Sequence, residues 1–467
     1  MRVIIIGAGN VGYTAAETLC DVHDVLVVES NKSICEDIKS VLNVATINED
    51  GSKPRVLKAA IESHSAQIIV STLKDDAVNL CICLMAKRFN PKITTIASIN
   101  DPDFCVDLPA ESVDMIISPD MRTAEKMYRL ATMENVTDYE FVDSIGIGAA
   151  VYQVMSYHKI VGQVVMDLEI PDECSIFGIH RNGSIDLKVD TMEVHAGDSI
   201  YVVGSRKGLD EFNEYMGVKN RAIEFTILGG TLVGTSVAKM LVEDKTKRFV
   251  KLVDIDPYKC RAIAKSIPQV LVIEEDFKDP VAQRAEDLFK SDCLLVTSGS
   301  DDTNLLMCMS AKHNGSRKVV TRYFKQGYND IFASANLDTI IGYQRIITNE
   351  ITRCLLPDDV ALMKLKRLVS PIDKGKGDSM DVGKVEKGDY LFFMHVVEHK
   401  SPFCNRYLGD MRLPYGIKIV AISRDGGVFY PDLDTMMLEN DQLIVFANKP
   451  EDAVVKKLFG KDAIPEM

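Results

Sequence analysis

The chain has 467 residues, 46% hydrophobic and 26% charged, with a formal net charge of −14. That length exceeds one ordinary core and calls for about two to four domains. The acidic balance argues against nucleic acid or an anionic lipid surface as the main partner, since both demand a basic footprint, and no apolar run reaches the roughly 18–20 residues that cross a bilayer, so direct membrane insertion is not expected. With a strand expected from residue 2, no leader is expected ahead of it.

Four branched apolar residues, Val3 to Ile6, run into Gly7-Ala8-Gly9-Asn10-Val11-Gly12, and a helix-competent segment follows. The pattern predicts a buried strand turning sharply onto a helix N-terminus. Gly7 makes the turn, Gly9 lets a pyrophosphate approach the backbone, and Gly12 lets helix pack on strand. Free N–H groups and the helix dipole favour a phosphate there. The next apolar run, 25–28, ends in Glu29, where a ribose-binding carboxylate is expected at the tip of the second strand. A structural relic without phosphate is the alternative.

Helical stretches at 32–42, 54–63 and 76–89 alternate with strands at 43–47, 67–71, 93–97 and 113–117. This is the doubly wound parallel pattern, and it makes residues 1–119 one Rossmann-type domain. A connecting helix follows at 120–136. Residues 137–220 change texture to short strands and turns, with Asn182-Gly183 as a hairpin signal, and read as a small α+β domain.

The sequence then starts again. Gly7 returns as Gly229 at an offset of 222, Glu29 as Asp254 at 225, and Asp50 and Asp75 as Asp276 and Asp301 at 226. The turn Arg181-Asn182-Gly183 returns as Arg424-Asp425-Gly426, and Asp198 as Asp441, both at 243. The chain is therefore read as a duplication. A second Rossmann-type domain occupies 221–355 and a second small α+β domain 356–467, with the extra residues of the second half placed in 370–389.

The candidate nucleotide residues of the first repeat are Gly7 to Gly12, Glu29, Asp50, Gly51, Ser71, Thr72 and Ser98. Asp50 and Gly51 line the adenine side of the crevice or form an ordinary turn. Ser71 and Thr72 bring hydroxyls to the carboxyl edge of the sheet, whereas Asp75, Asp76 and Asn79 read better as a helix cap and first turn. The second repeat offers Gly229, Gly230, Thr231, Gly234, Asp254, Asp276 and Arg322. Thr231 replaces the middle glycine, and its Cβ crowds the place where a pyrophosphate must approach. Either acid, Glu29 or Asp254, suits a free ribose diol and repels a 2′-phosphate.

No catalytic group is identifiable. The histidines are dispersed, and no nucleophile elbow, zinc-protease or P-loop motif occurs. The eleven cysteines form no Cys-x-x-Cys pair, so reduced buried thiols are expected and no metal site. A dinucleotide fold without chemistry suggests a sensor. An NAD-dependent oxidoreductase with substrate in the small domains is the rival, and a redox-sensing transcription factor is disfavoured by the acidic charge.

With Gly7 to Gly12 and Glu29, Asp50-Gly51-Ser52, Ser71 to Asn79, Asn100-Asp101-Pro102, Ser118-Pro119-Asp120 and Gly197 to Gly204, all duplicated in layout, the chain resembles the TrkA family, regulatory subunits of Trk-type potassium uptake systems built from tandem RCK units. The resemblance spans essentially the whole chain. It implies a non-enzymatic cytoplasmic protein, peripheral on the inner face of the membrane, that binds NAD(H) or ATP/ADP. It also implies a homo-oligomeric ring, from dimers or tetramers, under a membrane-embedded, TrkH/TrkG-like potassium-translocating subunit. Where the family usually carries a phosphate-holding Arg, the first repeat has Ser98, and the matching residue of the second is Arg322. Asp120 is expected either to hold a divalent ion against phosphates or to cap its helix, and its counterpart is Gln344.

Overall fold

The computed structural model describes residues 1–355, 361–365 and 390–447, apart from residues 22, 102, 103, 105–111, 144, 220, 326, 327, 336, 338, 400, 402 and 415. Pro102 and the stretch 370–389 thus lie outside the described residues. The chain divides into two units, residues 1–127 with 224–355 and residues 128–223 with 356–467.

The first repeat runs β1 (Arg2–Ile6), α1 (Asn10–Leu19), β2 (Asp24–Val28), α2 (Lys32–Val41), β3 (Ala45–Ile47), α3 (Pro54–His64), β4 (Ile68–Ser71), α4 (Asp76–Phe89), β5 (Thr94–Ser98), β6 (Met115–Ile117) and α5 (Pro119–Thr132). Among the described residues its sheet has the order β3-β2-β1-β4-β5-β6 with parallel pairing. From Val3 to Ile6 β1 is apolar because both its faces are covered. Val3 and Ile5 enter one core with Ala15 and Leu19 of α1, while Ile4 and Ile6 enter another with Leu57 of α3 and Ile82 of α4. The strand order reverses between β1 and β4, which opens a crevice at the strands' carboxyl ends.

The first small domain holds β7 (Val136–Val142), β8 (Ile147–Gln153), β9 (Cys174–Arg181), β10 (Ser184–Asp186), β11 (Ser199–Gly204) and α6 (Arg206–Met216). Its antiparallel sheet has the order β10-β9-β11-β8-β7. The turn from β9 to β10 places Asn182 at φ 52° and Gly183 at φ 81°. That is the left-handed pair a two-residue hairpin needs, and Asn-Gly adopts it at least strain.

The second repeat runs β12 (Glu224–Leu228), α7 (Leu232–Glu243), β13 (Phe249–Asp254), α8 (Pro257–Ser266), β14 (Leu271–Glu274), α9 (Pro280–Ala285), β15 (Cys293–Val296), α10 (Asp301–His313), β16 (Lys318–Tyr323), α11 (Asn329–Ser334), β17 (Thr339–Gly342) and α12 (Tyr343–Leu355). Its sheet order, β14-β13-β12-β15-β16-β17, reproduces the first. The last helices cross between the repeats. Tyr343, Ile347, Ile351 and Leu355 of α12 recur at four-residue spacing, one face of a helix, and that face is buried in the same core as Val3, Ile5, Ala15 and Leu19. Thr18 and Thr348 share a hydrogen bond of 3.2 Å across that contact. In return the start of α5 reaches the second repeat, where Ser236 of α7 donates to Met121 Sδ at 3.4 Å and Arg122 meets Glu350 of α12 at 3.6 Å.

In the second small domain lie β18 (Ala361–Leu365), β19 (Tyr390–Val396), β20 (Arg406–Tyr407), β21 (Ile417–Arg424), β22 (Gly427–Phe429), β23 (Met436–Met437) and β24 (Gln442–Ala447). The main sheet has the order β18-β19-β24-β21-β22. The two small domains share a core, with Phe177 of the first set 5.4 Å from Phe392 and 5.1 Å from Phe446 of the second. The ion pairs Arg181–Asp198 and Arg424–Asp441, each at 2.7 Å, fix the same corner in both copies.

The crossing of α12 makes its apolar face part of the first repeat's stability. Ile347→Ala, at a fully buried position, is expected to cost about 2–5 kcal/mol by urea denaturation. Leu306→Ala on α10, 60% exposed, is expected to stay within about 0.5 kcal/mol. An Ile347→Ala protein of unchanged stability would contradict this packing.

Candidate functional site

The first crevice is built on the turn from β1 into α1. Gly7 sits at φ +92°, a conformation open to glycine, and its N–H donates to the Val28 carbonyl at 2.9 Å. A Cβ on Gly12 would lie 1.9 Å from the Gly7 carbonyl oxygen, so the helix approaches the strand as closely as backbone allows. Gly9 differs: a Cβ there would meet nothing within 4 Å. As the residue preceding α1 it supplies no side-chain cap. Among the described residues no acceptor faces the N–H groups of Asn10, Val11 and Gly12, whereas that of Tyr13 is bonded to the Gly9 carbonyl. These donors, at the positive end of a ten-residue helix, make an open anion seat.

Glu29 closes the other side. It accepts from the Ala8 N–H at 2.8 Å and the Asn31 N–H at 2.8 Å, so the loop and the tip of β2 hold one another. The Ser30 hydroxyl also donates to it at 3.1 Å, and of the roughly four acceptor positions of a carboxylate about one is left for a further hydroxyl donor. Gly7, Ala8, Gly9, Asn10, Val11, Gly12 and Glu29 thus come together at one edge.

The remaining residues of the first repeat are placed differently. Asp50 accepts from the Ser52 hydroxyl at 2.6 Å and its N–H at 3.0 Å, and those bonds hold its carboxyl below the usual range. Gly51 is buried, with room for no Cβ against Ile6. Ser71 and Thr72 spend their hydroxyl hydrogens internally, Ser71 on Asn79 Oδ1 at 2.8 Å and Thr72 on the carbonyls of Ile6 and Gly7 at 3.0 and 3.1 Å. Ser98 is buried, and its carbonyl accepts from Asn79 Nδ2 at 2.8 Å. Asn79 lies in the first turn of α4, as read from sequence, and is in addition a saturated buried hub that also bonds both backbone polar groups of Leu73. Asp75 does cap α4, accepting from Val78 N–H at 3.0 Å.

The second crevice has the same frame and different contents. Gly229 takes φ +109°, and a Cβ on Gly234 would lie 2.2 Å from the Gly229 carbonyl. Asp254 accepts from Gly230 N–H at 2.6 Å and from Asp256 N–H at 2.9 Å, as Glu29 does in the first repeat. Asp276 accepts from the Lys278 N–H at 2.9 Å in its turn. Thr231, however, caps α7: its Oγ1 accepts from Gly234 N–H at 3.2 Å and donates to the Thr297 carbonyl at 3.0 Å. One alignment of the repeats shifts by a residue. Asp301, which accepts from the N–H groups of Phe324 and Lys325, matches Asp76, which accepts from those of Asn100 and Asp101, and not Asp75.

Arg322 lies at the tip of β16, 4% exposed. Its Nη1 is 3.1 Å from Oδ1 of Asp120, which the start of α5 brings in from the first repeat. The guanidinium also faces the rings of Phe324 at 4.7 Å and Tyr343 at 5.7 Å. Burial lowers its affinity for the proton, and Asp120 opposes that effect. Asp120 is therefore engaged by an arginine, and its N–H is accepted by Asn100 Oδ1 at 3.3 Å. Among the described residues no His/Cys/Asp/Glu group is arranged to hold a metal. Sequence reasoning missed the Asp120–Arg322 pair because only the crossing helices bring those residues together.

Two expectations follow. Gly12→Ala is expected to lose about 1–3 kcal/mol or more through overpacking, while Gly9→Ala stays within about 0.5 kcal/mol; equal losses in denaturant titrations would contradict the geometry. Asp120→Ala leaves a buried guanidinium without a counter-charge and is expected to cost about 3 kcal/mol. Asp120→Ala/Arg322→Met should recover most of that loss, and a double variant no more stable than the single would contradict the pairing.

Comparison with known proteins matches this duplicated layout. The TrkA-N domain family matches residues 3–119 and 225–342, and the TrkA-C domain family matches residues 150–217 and 392–460. A Trk system potassium uptake protein TrkA homolog of Archaeoglobus fulgidus is 27% identical over 98% of this chain and 100% of its own length. The Trk system potassium uptake protein TrkA of Haemophilus influenzae is 23% identical over 99% of each chain. Among solved structures, the GsuK RCK domain shares the fold with a TM-score of 0.64 at 16% identity, over 98% of this chain and 94% of that one. The GsuK channel bound to NAD gives 0.63 at 16%, over 99% and 78%. With both domain families matched twice and in alternation over more than half its length, the chain belongs to the TrkA family.

Proposed function

We propose that this chain is the nucleotide-sensing regulatory subunit of a Trk-type potassium transporter, reading NAD(H) or ATP/ADP in its first crevice and passing the state of that crevice to a membrane-embedded potassium-translocating partner. The observation that carries the reading is the uncapped N-terminus of α1 over the open Gly9, faced by Glu29. A pyrophosphate suits the N–H groups and a ribose diol suits the carboxylate. Ser98 offers no cation for a third phosphate, and Glu29 repels a 2′-phosphate, so the site favours NAD(H) over ATP and over phosphorylated dinucleotides. The NAD-bound GsuK channel, alike in fold, supports that choice.

Regulation follows from linkage. A nucleotide shifts a two-state assembly only by its difference in affinity for the two states. A homo-oligomeric ring of these subunits, docked under the transporter from the cytoplasm, would turn that difference into gating. No helix among the described residues is long and apolar enough to cross a membrane, in keeping with membrane attachment through the partner. The relatives' naming as potassium uptake proteins supports the partner's class.

Calorimetric titration of the full chain with NADH, NAD, ATP and ADP tests this. Micromolar binding without turnover is expected, tightest for the dinucleotides. Gly9→Asp places a carboxylate where the pyrophosphate lies and is expected to abolish it. Absence of binding to the unaltered protein, or turnover of the dinucleotide with an alcohol or 2-hydroxy acid, would overturn the proposal.

A further inference from the structure

We infer that the second crevice is filled by the chain's own groups, Asp120 standing where a phosphate would pair with Arg322 and Thr231 standing where it would meet the helix N-terminus. Each polypeptide then reads one nucleotide, at the first crevice. The inference rests on the nucleotide-sensing reading above and assigns the second site a holding role instead of a sensing one.

Two groups of the second crevice are suited to an anion, and both are engaged. Arg322 has Nη1 on Asp120 at 3.1 Å and Nη2 at 3.4 Å from the Thr297 carbonyl, with Nε alone unpartnered. The same carbonyl accepts from Thr231 Oγ1 at 3.0 Å, and that oxygen accepts from the Gly234 N–H at 3.2 Å. Asp120, Arg322, Thr297, Thr231 and Gly234 thus form one continuous network from the exchanged helix α5 to the start of α7. A polyphosphate entering here must separate a buried ion pair, displace a helix cap and approach a carboxylate of its own sign. Each step costs free energy that the first crevice does not ask for.

The first crevice holds none of these occupants. Sheet register aligns Ser98 with Arg322, since Ser98 pairs with Ile117 and Arg322 with Ile341, and this sets Gln344 opposite Asp120 in the repeat. Gly9 stands where Thr231 does. No side chain caps the α1 terminus, and its first turn carries no acid.

The test counts bound ligand per full-length chain by equilibrium dialysis, with NADH and ADP as separate probes. One NADH per chain is expected for the unaltered protein and none for Gly9→Asp. Asp120→Asn/Thr231→Gly is expected to bind two, and the same pair of changes in the Gly9→Asp background to retain one. Thr231→Gly alone leaves the buried ion pair in place and costs little as a cap change. In the Gly9→Asp background it is expected to tighten ADP by about tenfold or more, so the test survives if the double variant fails to fold. Two ligands on the unaltered chain, or one retained by Gly9→Asp, would overturn this inference and leave nucleotide sensing intact. A single site persisting in Asp120→Asn/Thr231→Gly, or no site when the same changes are made in the Gly9→Asp background, would also overturn it. Failure of every variant and of the unaltered chain to bind either probe would overturn both.

Discussion

The first unit depends on the exchange of two helices, and the contact at its centre is the buried pair of Asp120 and Arg322. An acid 202 positions before its partner in the chain meets an arginine that is almost without solvent. A lone guanidinium at that depth would be costly to keep charged, and the half-buried Asp120 carboxylate supplies its counter-charge. The pair therefore holds together only if α5 reaches the second repeat, just as Ile347 and Ile351 are covered only if α12 reaches the first. The two Rossmann sheets are thus built as one folding unit and not as beads on a chain.

Duplication supplied two equivalent frames, and their contents then diverged. Both keep the turn glycine, the glycine where helix meets strand and the acid tied to the loop. These are constraints of the backbone and tolerate little change. The residues that differ stand at the few positions where a ligand's charge would be met: Gly9 against Thr231, Ser98 against Arg322, Gln344 against Asp120. On sequence the second crevice looks richer in cation. In the fold that cation is neutralised, and the crevice with fewer charged groups is the open one. Charge composition of a site is a poor guide when its partners come from a distant segment.

Much of the fold was legible in the sequence for local reasons. The glycine spacing and the apolar run before it specify strand, turn and helix without tertiary help, and Asn182-Gly183 specifies a hairpin through its backbone preference. The duplication was visible because the landmarks are sharp. What was hidden depends on long-range packing. The apolar stripe of α12 would look the same on either sheet, so the helix exchange leaves no periodic signal. Asn79 has the residue type of a helix turn, and only the strand tips around it reveal a hub with every polar group used. Ser71 and Thr72 look like ligand hydroxyls at a sheet edge until the carbonyls of Ile6 and Gly7 are seen to take Thr72. Matching Asp301 to Asp75 by spacing alone missed by one residue, because a loop between strand and helix can absorb that shift without cost to either.

The measurement that tests this account most directly is a crystal structure of the full chain grown with NADH. The account predicts a pyrophosphate above Gly9 against the N–H groups of Asn10, Val11 and Gly12, a ribose on Glu29, and a second crevice without ligand in which Asp120 still pairs with Arg322. A dinucleotide on the Thr231 loop with Arg322 turned from Asp120 to its phosphates would contradict it.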